Sequence, residues 1–396
     1  MARILVVGAG PLQLPLICSA RGSGHWVAVA DMDPAAAGIP FADAYVNAST
    51  IDAEAITRAA VEHRVEAVCT AATDQPLMAI ARATAVCGLP GLSEETALRV
   101  TRKDLMRRAL ATGGVSCPAS FPVRNEAELR AAFARISGPA IVKPADSSGS
   151  RGVTKVVRVD DLPGALAHAL DFSRVKIGVV EAFLQGREFS VETLSLGGTL
   201  RVLQVTEKET SGPPHFVESG HAQPARLTPG ERQGIEKIVA EAARALGIED
   251  GPTHTEVMLT ATGPFIVEVG ARLGGDYITS DLVPLSTGID MLGLVLEIAL
   301  GNRPEIPEPL ARGAAVRYFY PSRGSIRSIE GIAEAEAIPG VVRVECFRKP
   351  GQSIVPVTGS HERAGYVIAR GDGVEAAVAA AEEARARVRF LVEPDH

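Results

Sequence analysis

The chain has few cysteines: Cys18, Cys69, Cys87, Cys117 and Cys346, an odd number with no CxxC pair among them. A scattered set of this kind supplies neither a disulfide framework nor zinc-ligand spacing, and it agrees with a reducing compartment. Long apolar runs are also missing, none reaching the roughly 20 residues a membrane span needs. No basic leader with a cleavage site precedes the first strand-like segment, so a soluble cytoplasmic protein without a membrane partner is expected. An excess of basic charge is absent too, with 47 acidic against 40 basic residues and a net charge of −7, which argues against a general nucleic-acid surface. There is no internal repeat and no low-complexity tract. What remains is an ordinary globular mixture, 46% hydrophobic and 22% charged, whose 396 residues predict two or three domains.

The most informative stretch is GPTHTEVMLTATGPFIVEVGARLGGD at residues 251–276. Apolar segments at 256–259 and 264–269 flank a Thr-Ala-Thr-Gly turn, the pattern of a β-hairpin. Each strand carries one carboxylate, Glu256 and Glu268. Arg272 follows, and then Gly274 and Gly275, where a backbone could approach a ligand closely. Acids on adjacent strands repel one another unless a cation lies between them, and hard oxygen ligands suit magnesium. The competing reading, two solvated strand glutamates, loses ground because further charged motifs precede the hairpin.

Near the N-terminus, RILVVGAG at 3–10 reads as a buried parallel strand opening into a tight turn, followed by a helix at about 12–21 and a second strand at 25–30. This βαβ unit has Gly8 and Gly10, but Gln13 occupies the third glycine position of the dinucleotide fingerprint, which weakens an NAD reading. A helix at 52–63 and a strand at 67–70 continue the alternation. Ligands of open α/β sheets bind outside the carboxyl ends of the strands, so Gln13, Asp31 and Asp74 are candidates for a substrate rim, or else turn and capping residues.

A helix is expected at 93–114, N-capped by Ser93 and carrying Lys103. Beyond a proline-containing linker, PAIVKPADSSGSRGVTKVVRV at 139–159 predicts a strand ending in Lys143, a Gly/Ser loop and a returning strand. Small residues there (Ser147, Ser148, Gly149, Ser150, Gly152) let backbone N–H groups cradle phosphate, with Lys143 as a point charge. It is not a Walker loop, because the lysine precedes the glycines and no helix follows. A helix at 160–172 and a strand at 177–183 lead into an ExxLxGxE segment made by Glu181, Leu184, Gly186 and Glu188, with Phe183 inside it. Two strands, at 189–196 and 199–207, precede a polar loop bearing Glu218 and His221; a helix at 229–246 precedes the hairpin and an apolar helix at 288–300 follows it. The remainder, with strands at 314–320, 341–347 and 365–370 and a helix at 373–387, reads as a small α+β module.

Taken in order, Lys103, Lys143 with its loop, the Glu181 to Glu188 segment, and Glu256, Glu268 and Arg272 resemble the signature of the ATP-grasp ligases. The resemblance implies an α/β and α+β fold: a Rossmann-like βαβ domain at 1–92, a two-lobed ATP-grasp domain at 93–300 with a lid at about 117–183, and a C-terminal module at 301–396. It implies ATP and Mg²⁺, or Mn²⁺, as cofactors. Lys103, Lys143 and the 146–152 loop would contact phosphates. Glu181, Phe183 and Leu184 would form the adenine edge, Glu188 would take the ribose, Glu256 and Glu268 the metal, and Arg272 the charge on the transferred phosphoryl group. The family often has Asn two residues after the second metal-binding Glu, where this chain has Gly270. GxxHxE at Gly251, His254 and Glu256, the Glu218–His221 pair and the ending ARLGGDYI look most like the L-amino-acid (dipeptide) ligases. Those act through an acyl phosphate on small carboxylate and amine substrates, and a homodimer is common among them. In that reading Glu218 and His221 face the active site, and His254, Gly274, Gly275, Gln13 and Asp74 border the substrate. The alternatives are a purine-pathway or biotin-carboxylase-like ligase, and a nucleotide-binding protein that has lost catalysis.

Overall fold

The computed structural model describes residues 1–149, 151–212 and 216–393. Its contacts divide into two compact units: residues 1–203, 227–280 and 290–307 form one, and residues 204–226, 281–289 and 308–396 the other.

The first unit begins with four parallel strands in the order Ala44–Asn47, Trp26–Asp31, Arg3–Val7, Ala67–Cys69. The apolar run Ile4 to Val7 is fully buried at its centre, as a strand covered on both faces must be. The strand stops at Val7, earlier than the sequence pattern suggests, because Gly8 turns with φ +98°. Gln13 lies against Gly8 and Gly10, and its Nε2 donates to Ala71 O at 2.6 Å. This amide therefore ties the first turn to the end of the Ala67–Cys69 strand.

The helix expected at 93–114 is two helices, Glu94–Thr101 and Lys103–Thr112. Arg102 between them is extended, with φ −123° and ψ 104°, and its guanidinium is held by Asp104 at 2.9 and 3.0 Å. The break frees the Lys103 N–H to donate to Ala145 O at 2.8 Å. Periodicity alone misses it because both halves keep their apolar faces.

An antiparallel sheet of Ser120–Val123, Gly178–Ala182, Ala140–Pro144 and Thr154–Val156 follows, in that order. Helices Glu126–Phe133 and Leu162–Asp171 close its core around Val123, Leu129, Val142, Leu162 and Val180. A second antiparallel sheet pairs Arg187–Leu196 with Gly251–Thr260, and that strand with Gly263–Gly270. Helix Pro229–Leu246 packs against the hairpin and begins in a capping box made by Thr228 and Glu231. The hairpin falls where the sequence puts it.

In the second unit the end of strand Thr199–Thr210 pairs with Glu218–Gln223, followed by Gly313–Tyr318, Gly365–Gly371 and Val341–Cys346, all antiparallel. Helix Val374–Arg387 packs on this sheet, and a smaller sheet forms from Ser353–Ile354, Gly324–Glu330 and Arg389–Glu393. The expected polar loop around Glu218 and His221 is thus a strand. Its run ESGHAQ shows no apolar alternation, but it pairs with strands on both sides and Gln223 finds partners within the unit. Gln223 Nε2 donates to Thr206 Oγ1, and Gln223 Oε1 accepts from Ser286 Oγ, each at 2.8 Å. No single helix among the described residues is long and apolar enough to cross a membrane.

Leu129 is fully buried in the core of the sheet that carries Lys143. Leu129→Ala should cost about 2–5 kcal/mol of stability, read as a lower denaturant midpoint at unchanged slope.

Candidate active site

Residues two apart on a strand share a face, and residues opposed in register share it across strands. Glu256 is opposite Glu268 on one side and Ser190 on the other; His254 is opposite Gly270 and Glu192. Glu192, His254, Glu256, Glu268 and Gly270 therefore line one face, whereas Val191, Val257 and Val269 are buried on the other. A bulge after Glu256 leaves Val267 without a cross-strand partner in the register, so Glu268 keeps its place opposite Glu256.

The hairpin meets the upstream lysines. Lys103, at the start of its helix and only 8% exposed, donates from Nζ to Glu268 Oε1 at 2.8 Å and to Ser147 O at 2.6 Å. Burial opposes its charge, but Glu268, aided by Asp74 and Glu181, outweighs burial and the pKa is raised. Ser147 is buried, and Asp146 anchors the base of the Gly/Ser loop by accepting from Ser173 Oγ at 2.7 Å and from the N–H groups of Arg174 and Val175. Gly149 and Gly152 take φ of +67° and +75°, which a glycine adopts without strain. Ser148 lies in the same loop, and its carbonyl accepts from Arg151 Nε at 3.1 Å. Ser150 falls outside the described residues.

Lys143 donates to Glu181 Oε2 at 2.7 Å. Glu181 also accepts from Arg107 Nε at 2.7 Å, Arg107 Nη2 at 3.1 Å and Ser120 Oγ at 3.2 Å. Burial pushes this carboxyl up, yet Arg107 and Lys143 overcome it and hold the pKa at about 2. For Lys143, burial prevails over Glu181 and lowers the pKa. The sequence reading assigned Glu181 to an adenine amine; here its side chain is the centre of an ionic cluster. Arg107 escaped that reading, although its spacing of four from Lys103 places both on one helix face and was the available signal. Phe183 and Leu184 are half-buried, with Lys155 Nζ 3.7 Å above the Phe183 ring, and Glu188 is half-buried opposite Met258.

The far end of the hairpin meets the first sheet through a bridge between Ala71 and Leu273, which brings Asp74 to Arg272. Arg272 Nη2 donates to Asp74 Oδ2 at 2.9 Å. Asp74 Oδ1 and Arg272 Nε are buried without a hydrogen-bond partner among the described residues. A Cβ at Gly270 would lie 2.6 Å from Asp74 Oδ1 and 3.0 Å from Arg272 Cζ. The Asp74–Arg272 pair thus fills the space that an Asn side chain at 270 would need. His254 Nδ1 donates to Glu192 Oε1 at 2.5 Å, and Glu192, fully buried, was not singled out in the sequence. Gly274 packs on this pair, since its Cβ would lie 2.8 Å from His254 Nδ1, and Gly275 packs beside Ala72. Gln13, as described above, is committed to Ala71. Asp31 serves as a cap, accepting from the N–H groups of Ala9 and Asp33.

Within the second unit, Glu218 accepts from Ser360 Oγ at 2.7 Å and pairs with Lys208 at 3.5 Å. His221 is 2% exposed, edge-on to Tyr318.

The family described as "ATP-grasp domain" matches residues 136–281, and "L-amino acid ligase C-terminal domain 2" matches residues 317–393. Residues 136–281 thus form an ATP-grasp domain, and the chain is similar to ligases that carry one. A crystal structure of L-amino acid ligase from Bacillus licheniformis superposes with a TM-score of 0.86 at 26% identity, covering 99% of each chain. An uncharacterised protein of Sinorhizobium fredii is 32% identical over 286 residues, 71% of this chain and 59% of that one. The L-arginine-specific L-amino acid ligase of Bacillus subtilis is 25% identical over 276 residues, 67% of this chain and 66% of that one. The chain thus spans about three fifths to two thirds of these two curated relatives. Lys143, Glu181, Glu256, Glu268 and Arg272 fall inside the matched ATP-grasp domain; Asp74, Lys103 and Arg107 precede it.

The donor set of this ATP-grasp domain fits magnesium. Among the described residues no group of three or more His, Cys, Asp or Glu could hold a metal. Two opposed carboxylates, Glu256 and Glu268, are what magnesium takes when substrate phosphates and water supply its other ligands.

Two outcomes follow from this geometry. Gly270→Ala should displace the Asp74–Arg272 pair and lower kcat about a hundredfold while nucleotide affinity, measured by calorimetry, changes little. Glu181 has a folded-state pKa below its ordinary 4.5, so it stabilises the fold above that pH and the contribution is lost as pH falls toward about 2. In Glu181→Gln the slope of stability against pH over that window should flatten by about one proton.

Proposed function

We propose that this ATP-grasp ligase joins a carboxylate to an amine through an acyl phosphate, with ADP and phosphate as the other products, and that both substrates are amino acids. The observation that carries the reading is the opposed Glu256–Glu268 pair, with Lys103 bonded to Glu268 and Arg272 held by Asp74 just beyond the strand. The likeness to L-amino acid ligases supports the choice of amino acids.

Lys103, Lys143 and the backbone of Ser147, Ser148, Gly149 and Gly152 bind the phosphates. The Glu181 to Leu184 segment borders the adenine, and Glu188 takes the ribose hydroxyls. Glu256 and Glu268 hold magnesium, which when bound neutralises charge on the terminal phosphates. A carboxylate oxygen of the first substrate attacks the γ-phosphorus, the bond to the bridging oxygen breaks, and ADP leaves with that electron pair. The amine nitrogen of the second substrate then attacks the acyl carbon. The carbon–oxygen bond to phosphate breaks, the nitrogen loses its proton and an amide forms. Arg272 meets charge that develops on the transferred group, so no nucleophilic side chain is needed. His254, fixed by Glu192, borders the substrates together with Asp74, Gly274 and Gly275.

The test is phosphate release from Mg-ATP with pairs of amino acids, with products identified by mass. ADP, phosphate and a dipeptide are expected. Glu268→Gln and Arg272→Ala should lower kcat by roughly 10²–10³ and leave nucleotide binding in place. AMP and pyrophosphate would overturn the mechanism. ADP formed with bicarbonate or a purine precursor, and with no amino-acid pair, would instead replace the substrate class.

A further inference from the structure

The cluster around Glu181 contains one cation that the proposed reaction does not use. Arg107 is 5% exposed and forks onto Glu181 with Nε and Nη2. Nη2 also donates to the carbonyl of Val267, the bulged hairpin residue beside Glu268, at 2.6 Å. Its Nη1 is buried with no hydrogen-bond partner among the described residues. A buried guanidinium with an unsatisfied arm is a poor source of stability, since an apolar side chain of similar volume often serves a core as well or better.

Its position accounts for it in another way. Lys143 is bonded to Glu181, and to reach a phosphate oxygen it must leave that carboxylate. Were Lys143 the sole counterion of a carboxylate only 3% exposed, its departure would strand a buried charge. A second cation on the same carboxylate removes that obstacle. We infer that Arg107 is a positioning residue: it holds and neutralises Glu181 so that Lys143 can transfer from Glu181 to the phosphates of an incoming nucleotide. The hold on Val267 O keeps this carboxylate in register with the metal-binding strand. The inference rests on the reading of Lys143 as a phosphate ligand.

Binding of magnesium tripolyphosphate to the full chain, measured by calorimetry, tests it without involving an adenine contact. Arg107→Met should weaken tripolyphosphate about tenfold, and should raise KM for ATP by a similar factor with kcat little changed. Adding Glu181→Gln removes the charge that detains Lys143, so the Arg107→Met/Glu181→Gln protein should recover to within about twofold of the native affinity. A residue that merely supported the fold would not be rescued in this way. Native-like binding by Arg107→Met, or failure of the double variant to recover, overturns the inference. If the methionine variant does not fold, Arg107→Gln replaces it, removing the charge while keeping a polar group; weakened binding that Glu181→Gln restores is again expected, and native-like binding or no restoration again overturns. Lys143→Met separates the two readings. Native-like tripolyphosphate binding by Lys143→Met refutes the phosphate role itself, whereas weakened binding there with an unaffected Arg107→Met refutes the inference alone.

Discussion

Pairing of buried charge is the constraint on which the first unit depends. Each cation of the candidate site is held by a carboxylate: Lys103 by Glu268, Lys143 and Arg107 by Glu181, Arg272 by Asp74. Removing one partner would leave its mate unpaired in a poorly hydrated place, so these groups fix one another's position before any ligand arrives. The same pairing explains why so many charged side chains are tolerated beneath the surface. They are spread over the first sheet, the Lys103–Thr112 helix, the sheet that carries Lys143 and the hairpin, and so tie those elements together.

The hairpin supplies the geometry for this pairing. The period of two along its strands, continued on Arg187–Leu196, puts the carboxylates on one face and the valines on the other. Two glycines then admit groups from elsewhere. Gly270 leaves room for Asp74 against Arg272, and Gly274 leaves room for His254 and Glu192. A departure from the family's usual residue at 270 thus becomes intelligible as an exchange: the volume of a side chain there is occupied by a carboxylate from the end of another strand.

Much of this was legible in the sequence. The continuous apolar run at 3–10, the capped helix at 229–246 and the alternating hairpin each report local physics, and the structure has elements at all three places. The helix break at Arg102 was hidden because apolar spacing persists across it. The Glu218–Gln223 strand was hidden because Glu218 and Gln223 are bonded to neighbours distant in sequence. Glu192 was missed for a related reason: nothing in its own segment shows that it is buried.

What the sequence determined by itself was the set of elements and the order of charged motifs along them, since periodicity, turn residues and spacing are properties of short segments. Which carboxylate holds which cation was decided only by the tertiary structure. Those pairs join residues up to 198 positions apart, as Asp74 and Arg272 are, and the energy of a buried ion pair depends on distance and desolvation, neither of which a linear chain records.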